Sequence, residues 1–157
     1  LLKRKYICLF IIVCLVYGCQ LSQPDPLRDT AVSQDERGDE LMNIVINEQK
    51  YKIELYDHST VEEFIKLLPM TLQMEELHGN EKYYYLDQSL PIHPESVNQI
   101  KVGDIMLFQD NCLVLFYKDF QTSYQYTRIG HIEDVTGLSH QLGNKSISVT
   151  FQKEENE

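Results

Sequence analysis

Few side chains of this 157-residue chain stand where their chemistry is easily put to use. Of four cysteines, Cys8 and Cys14 lie inside an apolar run, and Cys112 opens the apolar stretch "CLVLFY". An unpaired cysteine in such a stretch is more often a small core residue than a reactive thiol. Cys19 differs, because it follows Gly18 at the step from apolar to polar sequence. The five histidines, His58, His78, His93, His131 and His140, fall at no ligand spacing, so neither a metal nor another cofactor is expected. No nucleophile elbow, phosphate loop or dinucleotide fingerprint occurs. Glu75-Glu76 and Glu154-Glu155 pair carboxylates, but sequence neighbours diverge in space and read as solvated pairs. Asp104 in "VGD" reads as closing a turn. The tyrosines remain: Tyr83, Tyr84, Tyr85, Tyr117, Tyr124 and Tyr126. On alternating strands half of them pack inward, and the outward half is enough to line an aromatic groove.

Cys19 is positioned by what precedes it. Lys3-Arg4-Lys5 is followed by "YICLFIIVCLV", an uncharged run from Tyr6 to Val16. At ~1.5 Å per residue such a helix covers only about half of a ~30 Å hydrocarbon core. A basic start, a short apolar core and small residues form the layout of an export signal rather than a membrane span. Val16-Tyr17-Gly18-Cys19 resembles the lipobox of bacterial lipoproteins, with Tyr17 departing from the usual smaller residue. That resemblance implies a signal peptide over 1–18, cleavage before Cys19 and a diacylglycerol on its thiol. The protein is then a lipoprotein of the cell envelope, on the extracytoplasmic side of a membrane. Durable anchoring takes more than one acyl chain. With Cys8 and Cys14 lost and Cys19 acylated, the mature domain has no disulfide.

Residues 19–41 begin the mature chain with "CQLSQPDPLRDTAVSQDERGDE" and Leu41, a stretch without an aromatic residue and broken by Pro24 and Pro26. It reads as a disordered tether. The domain is expected over 42–152, with 153–157 a solvated tail. The net charge of −10 repels phosphate backbones and argues against a nucleic-acid partner.

Within the domain "NIVIN" and Tyr51-Ile53-Leu55 alternate as two strands of a hairpin turned by "NEQK". Ser59 with Glu62 forms a capping box, and Val61, Phe64, Ile65 and Leu68 mark one helical face over about 60–68, ended by Pro69. Met70-Leu72-Met74, "YYYL", "IMLF", "CLVLFY", Tyr126–Ile132 and Ile147-Val149-Phe151 follow as strands. "LPIHPESVNQ" is irregular, and a helical turn is placed near 134–138. About eight short strands and one firm helix favour a barrel or sandwich over parallel α/β.

"KYKIELYDHSTVEEFIKLLP" (50–69) and "YTRIGHIEDVTGL" (126–138) resemble the opening strand and first helix, and the late strand and turn, of cyclophilins. "LPMTLQMEELHGNEKYYYL", "KVGDI" and "LVLFY" between them resemble the small bacterial cyclophilin-like family. The resemblance implies a mainly β fold, a closed eight-stranded antiparallel barrel. It also implies a cleft on the barrel flank where cyclophilins bind peptides, for which the candidates are Phe116, Arg128, Tyr84, Tyr124 and Tyr126. Prolyl isomerases of that family use an arginine in the strand after the first helix; here Met70 to Pro94 holds none, and Arg128 is the domain's one arginine. Their Ser-Gln-Phe-Phe strand matches Leu113 to Phe116, where the glutamine is missing. Without that guanidinium, a fixed donor fork for the twisting amide, no catalytic residue is assigned and efficient isomerisation is not expected. The expectation is a non-catalytic module binding a peptide or small molecule; the alternative is a weak peptidyl-prolyl isomerase assisting exported proteins.

Overall fold

The computed structural model describes residues 42–154. The readings for residues 1–41, including the signal, Cys19 and the tether, lie outside the described residues, as does most of the tail. The order is β1 (Met42–Ile46), β2 (Gln49–Leu55), α1 (Ser59–Ile65), β3 (Met70–Leu77), β4 (Glu81–Tyr85), β5 (Glu95–Ser96), β6 (Gln99–Ile100), β7 (Asp104–Phe108), β8 (Cys112–Phe116), β9 (Phe120–Gln121), β10 (Gln125–Ile132), α2 (Leu138–Leu142) and β11 (Ile147–Lys153).

Eight of these strands close on themselves in the order β2-β1-β11-β3-β4-β8-β7-β10, with β10 returning to β2. Every pairing is antiparallel. The expected closed barrel is therefore the fold. Its first hairpin turns at Asn47 and Glu48, both left-handed at φ 47° and 68°, which matches the twist of the flanking strands. Along β2, Tyr51 and Ile53 are buried while Lys50, Lys52 and Glu54 are exposed. That alternation sends one apolar row into the lumen, where Ile44, Ile46, Leu113, Leu115, Ile129, Val149 and Phe151 fill it. From α1, Val61, Phe64 and Ile65 enter the same cluster, with Phe64 edge-on to Phe151 at 5.8 Å. From α2 come Leu138 and Leu142. The lumen is a packed core.

The seam needs a residue without a side chain. β10 bulges between Arg128 and Gly130, and Gly130 then lies opposite Leu55. A Cβ at Gly130 would stand 2.6 Å from Ile53 Cγ2 and 2.8 Å from the Glu54 carbonyl, so the strands approach this closely only with glycine.

Three readings of local structure are corrected. α1 spans Ser59–Ile65, shorter than 60–68, and the residue before it is His58, with no side-chain cap. The expected capping box does not form, because Ser59 Oγ bonds His93 Nε2 at 2.9 Å instead. The second helix follows 134–138 rather than occupying it. Asp134 accepts from the Thr136 amide in a local turn, Gly137 takes a left-handed φ of 76°, and helix begins at Leu138. The stretch 90–99, read as irregular, supplies β5, which adds to β10, and opens β6, which pairs with β9 as a separate ribbon. Among the described residues no helix is long and apolar enough to cross a membrane.

Candidate ligand face

β7 and β8 are buried on both sides, and the reason lies outside the lumen. A second apolar cluster of Val97, Ile100, Met106, Cys112, Val114, Phe116 and Tyr126 covers the outer wall there, with Tyr83, Phe108 and Phe120 against it. The register lays out this wall in rows. One runs from Glu75 through Tyr83, Val114 and Met106 to Arg128. Beside it Tyr85, Cys112 and Phe108 align, and on the other side Glu81 stands opposite Phe116. The rings interlock: Phe116 meets Tyr126 edge-on at 5.6 Å and Phe120 at 5.7 Å, while Phe108 touches Tyr124 at 5.7 Å and Tyr126 at 5.6 Å. Tyr83 and Tyr85 make a further edge contact at 5.8 Å.

Four of the five sequence candidates come to this wall, in different roles. Phe116 is fully buried beneath the β6–β9 ribbon, so it floors the wall rather than lining an open cleft. Tyr126 is nearly buried beside it, and burial with the charge of Glu81 pushes its hydroxyl up to about 12. Tyr124 is 62% exposed and free to meet a ligand. Arg128 is not a free fork: its Nε bonds Glu95, Nη1 bonds the Tyr56 hydroxyl at 3.4 Å, and its guanidinium lies 5.7 Å from the Tyr56 ring. Tyr84 does not join them, since it packs against the lumen cluster on the other side of β4. Its neighbours Tyr83 and Tyr85 take the outward places.

Sequence reasoning missed Glu81, Glu95, Tyr56, Phe108 and Phe120. Glu81 is partly buried, and its carboxylate makes no hydrogen bond or ion pair among the described residues. Burial raises its carboxyl above the usual carboxylate range, with His78 opposing and Glu76 adding to the shift. Glu75 accepts from the Tyr83 hydroxyl at 2.8 Å. Carboxylates thus fringe an aromatic field whose arginine is already neutralised.

Other polar clusters are structural. His58 Nε2 donates to the Arg128 carbonyl at 2.7 Å, and its ring lies 5.0 Å from that of His93. Ser59 and His93 stand at nucleophile-to-base distance, but among the described residues no carboxylate hydrogen-bonds either imidazole, as a triad requires. Asp104 accepts from the Lys101 amide at 2.8 Å, closing its turn, and from His131 Nδ1 at 2.9 Å. No group of three His, Cys, Asp or Glu among the described residues is arranged to hold a metal ion.

A closed antiparallel barrel with a filled lumen has only its outer wall and loops for recognition, and this wall is aromatic. Residues 44–152 match the profile of the Cyclophilin-like family, and the chain belongs to that family. The fold is also similar to the solution structure of a hypothetical protein from Archaeoglobus fulgidus, with TM-score 0.57 and 19% identity over 76% of this chain and 99% of that one. McbB, solved in complex with tryptophan, is similar at TM-score 0.56 and 13% identity over 74% of this chain. The chain spans 45% of McbB. These two likenesses are of fold alone. A search of curated proteins gives no match.

Proposed function

We propose that this protein is an exported lipoprotein, anchored through lipid on Cys19, whose barrel binds a peptide or small molecule on its outer wall without catalysing a reaction. One observation carries the reading: the rings of Tyr124, Phe108, Tyr126, Phe116 and Phe120 touch in series on the outer wall, with the Tyr83–Tyr85 pair alongside across Cys112, while Arg128 is committed to Glu95 and Tyr56. Exposed tyrosines give large, stiff contact area at low entropic cost. A guanidinium already paired is poorly placed to receive the developing lone pair of a twisting prolyl nitrogen.

The chain has no tryptophan, so tyrosine emission reports binding directly. Titrating the full chain in non-ionic detergent with a library of peptides free of tryptophan and tyrosine should give saturable quenching that Tyr124→Ala weakens. Absence of saturation below about 1 mM, a binding energy of only ~4 kcal/mol, would overturn the reading. In a protease-coupled assay the prolyl isomerisation rate should equal the uncatalysed rate. A faster rate abolished by Arg128→Ala would establish the isomerase instead. For the anchor, Cys19→Ser should move the protein from membrane to soluble fractions, and retention on the membrane would refute the lipid.

A further inference from the structure

The aromatic wall carries a charge that nothing in the described chain answers. Glu81 faces outward opposite Phe116 on β8 and lies two residues before Tyr83 on the same face of β4. Phe120, partly exposed, meets Phe116 at 5.7 Å with its ring tilted against it. No ammonium or guanidinium of the described residues pairs with this carboxylate: His78 and Glu76 are the charges that act on it, and Lys118, whose ammonium lies over Gly79, forms no ion pair with it. A carboxylate drawn partly out of water beside aromatic rings is unfavourable when unpaired. The neighbouring carboxylates are answered from within the chain, Glu75 by the Tyr83 hydroxyl and Glu95 by Arg128.

We propose that the outer wall selects an organic cation, an ammonium group on an aliphatic stem, with Glu81 as its counter-ion and the faces of Tyr83 and Phe120 as its aromatic partners. Ring faces attract cations most strongly where water is thinned out. A full positive charge beside Glu81 would also oppose the upward shift that burial imposes on its carboxyl. The chain's net charge of −10 favours the approach of such a ligand from a distance. The inference rests on the outer wall being the binding surface and adds what that surface prefers.

The test uses the full chain in non-ionic detergent and follows the amide resonances of Glu81, Tyr83 and Phe120. The probes are N-acetyl-lysine methylamide, its uncharged counterpart N-acetyl-norleucine methylamide, and tetramethylammonium. Capped lysine should bind at least about tenfold more tightly than capped norleucine. Glu81→Gln should erase that difference, and Phe120→Leu should weaken capped lysine further than capped norleucine. Competition by tetramethylammonium extends the ligand class to small quaternary amines, and its failure confines the class to lysine side chains. Equal binding of the two capped residues, or a preference that survives Glu81→Gln, overturns the cation inference while leaving the ligand wall standing. If neither these probes nor the peptide library bind, both readings fall.

Discussion

Glu81 shows how a single side chain reports on its surroundings before any ligand is known. Its carboxyl is raised mainly by burial, so the folded protein holds that proton more tightly than the unfolded chain does. The sign follows: protonation favours the fold, and the ionised group above its folded pKa works against it. Glu81→Gln should therefore raise the thermal midpoint at neutral pH, and the advantage should shrink as pH falls into the carboxylate range. Thermal unfolding followed by circular dichroism at several pH values measures this. A lower midpoint for the variant at pH 7 would mean that the carboxylate has a stabilising partner. The groups acting on it are His78 and Glu76, from the β3–β4 region, while Tyr117, Tyr126 and Cys112 feel its charge from β8, its following residue and β10.

Between elements, the strongest tie is Lys82. Fully buried on β4, it pairs with Glu76 of β3 and donates to the carbonyls of Gly143 at 3.0 Å and Lys145 at 2.9 Å, beyond the end of α2. The Tyr117 ring lies 5.0 Å from its ammonium, and the Tyr117 hydroxyl bonds Glu76. All three ammonium donors are used, which is what makes the burial of a charge tolerable. Removing one partner from such a pair costs about 3–5 kcal/mol, so Lys82→Met should shift denaturant unfolding by that amount. Adding Glu76→Gln should recover part of it. A loss under about 1 kcal/mol would show that Lys82 does not hold the segment after α2. Burial pushes Glu76 up, but the bonds from Lys82, Tyr117 and the Gly79 amide outweigh it and hold the carboxyl low. Its contribution is present above the unfolded pKa and lost as acid titrates the folded group. Elements of this length were legible where one face is wet: Tyr51-Ile53 and Ile147-Val149-Phe151 announce their strands by alternation. "CLVLFY" was legible as a strand from its apolar run, although such a run does not say which side chains face outward. The three consecutive tyrosines of β4 carry no parity either, so the sequence alone offers Tyr84 for the outer places that Tyr83 and Tyr85 hold. The two-residue strands β5, β6 and β9 are too short to leave a periodic mark.

The whole molecule depends on meetings that no local pattern encodes. The barrel was legible through the count and order of its strands and the family resemblance. The outer wall was legible only in part, because Glu95 meets Arg128 and Phe120 meets Phe116 through tertiary contacts. Closure itself turns on Gly130. Adding a methyl there crowds Ile53 and the Glu54 carbonyl, so Gly130→Ala should destabilise by about 1–3 kcal/mol. Denaturant titration checks this, and an unchanged midpoint would mean the seam is looser than described.

The strand order has a temporal consequence. β1, the first of the described strands, is flanked by β2 and by β11, the last of them. A chain made amino end first therefore forms this hairpin with both outer edges unpaired, that of β2 until β10 follows and that of β1 until residues 147–153 arrive. The cylinder cannot shut ahead of its own carboxyl-terminal stave. Such late closure defers the slow, long-range step of folding until the whole barrel sequence is present.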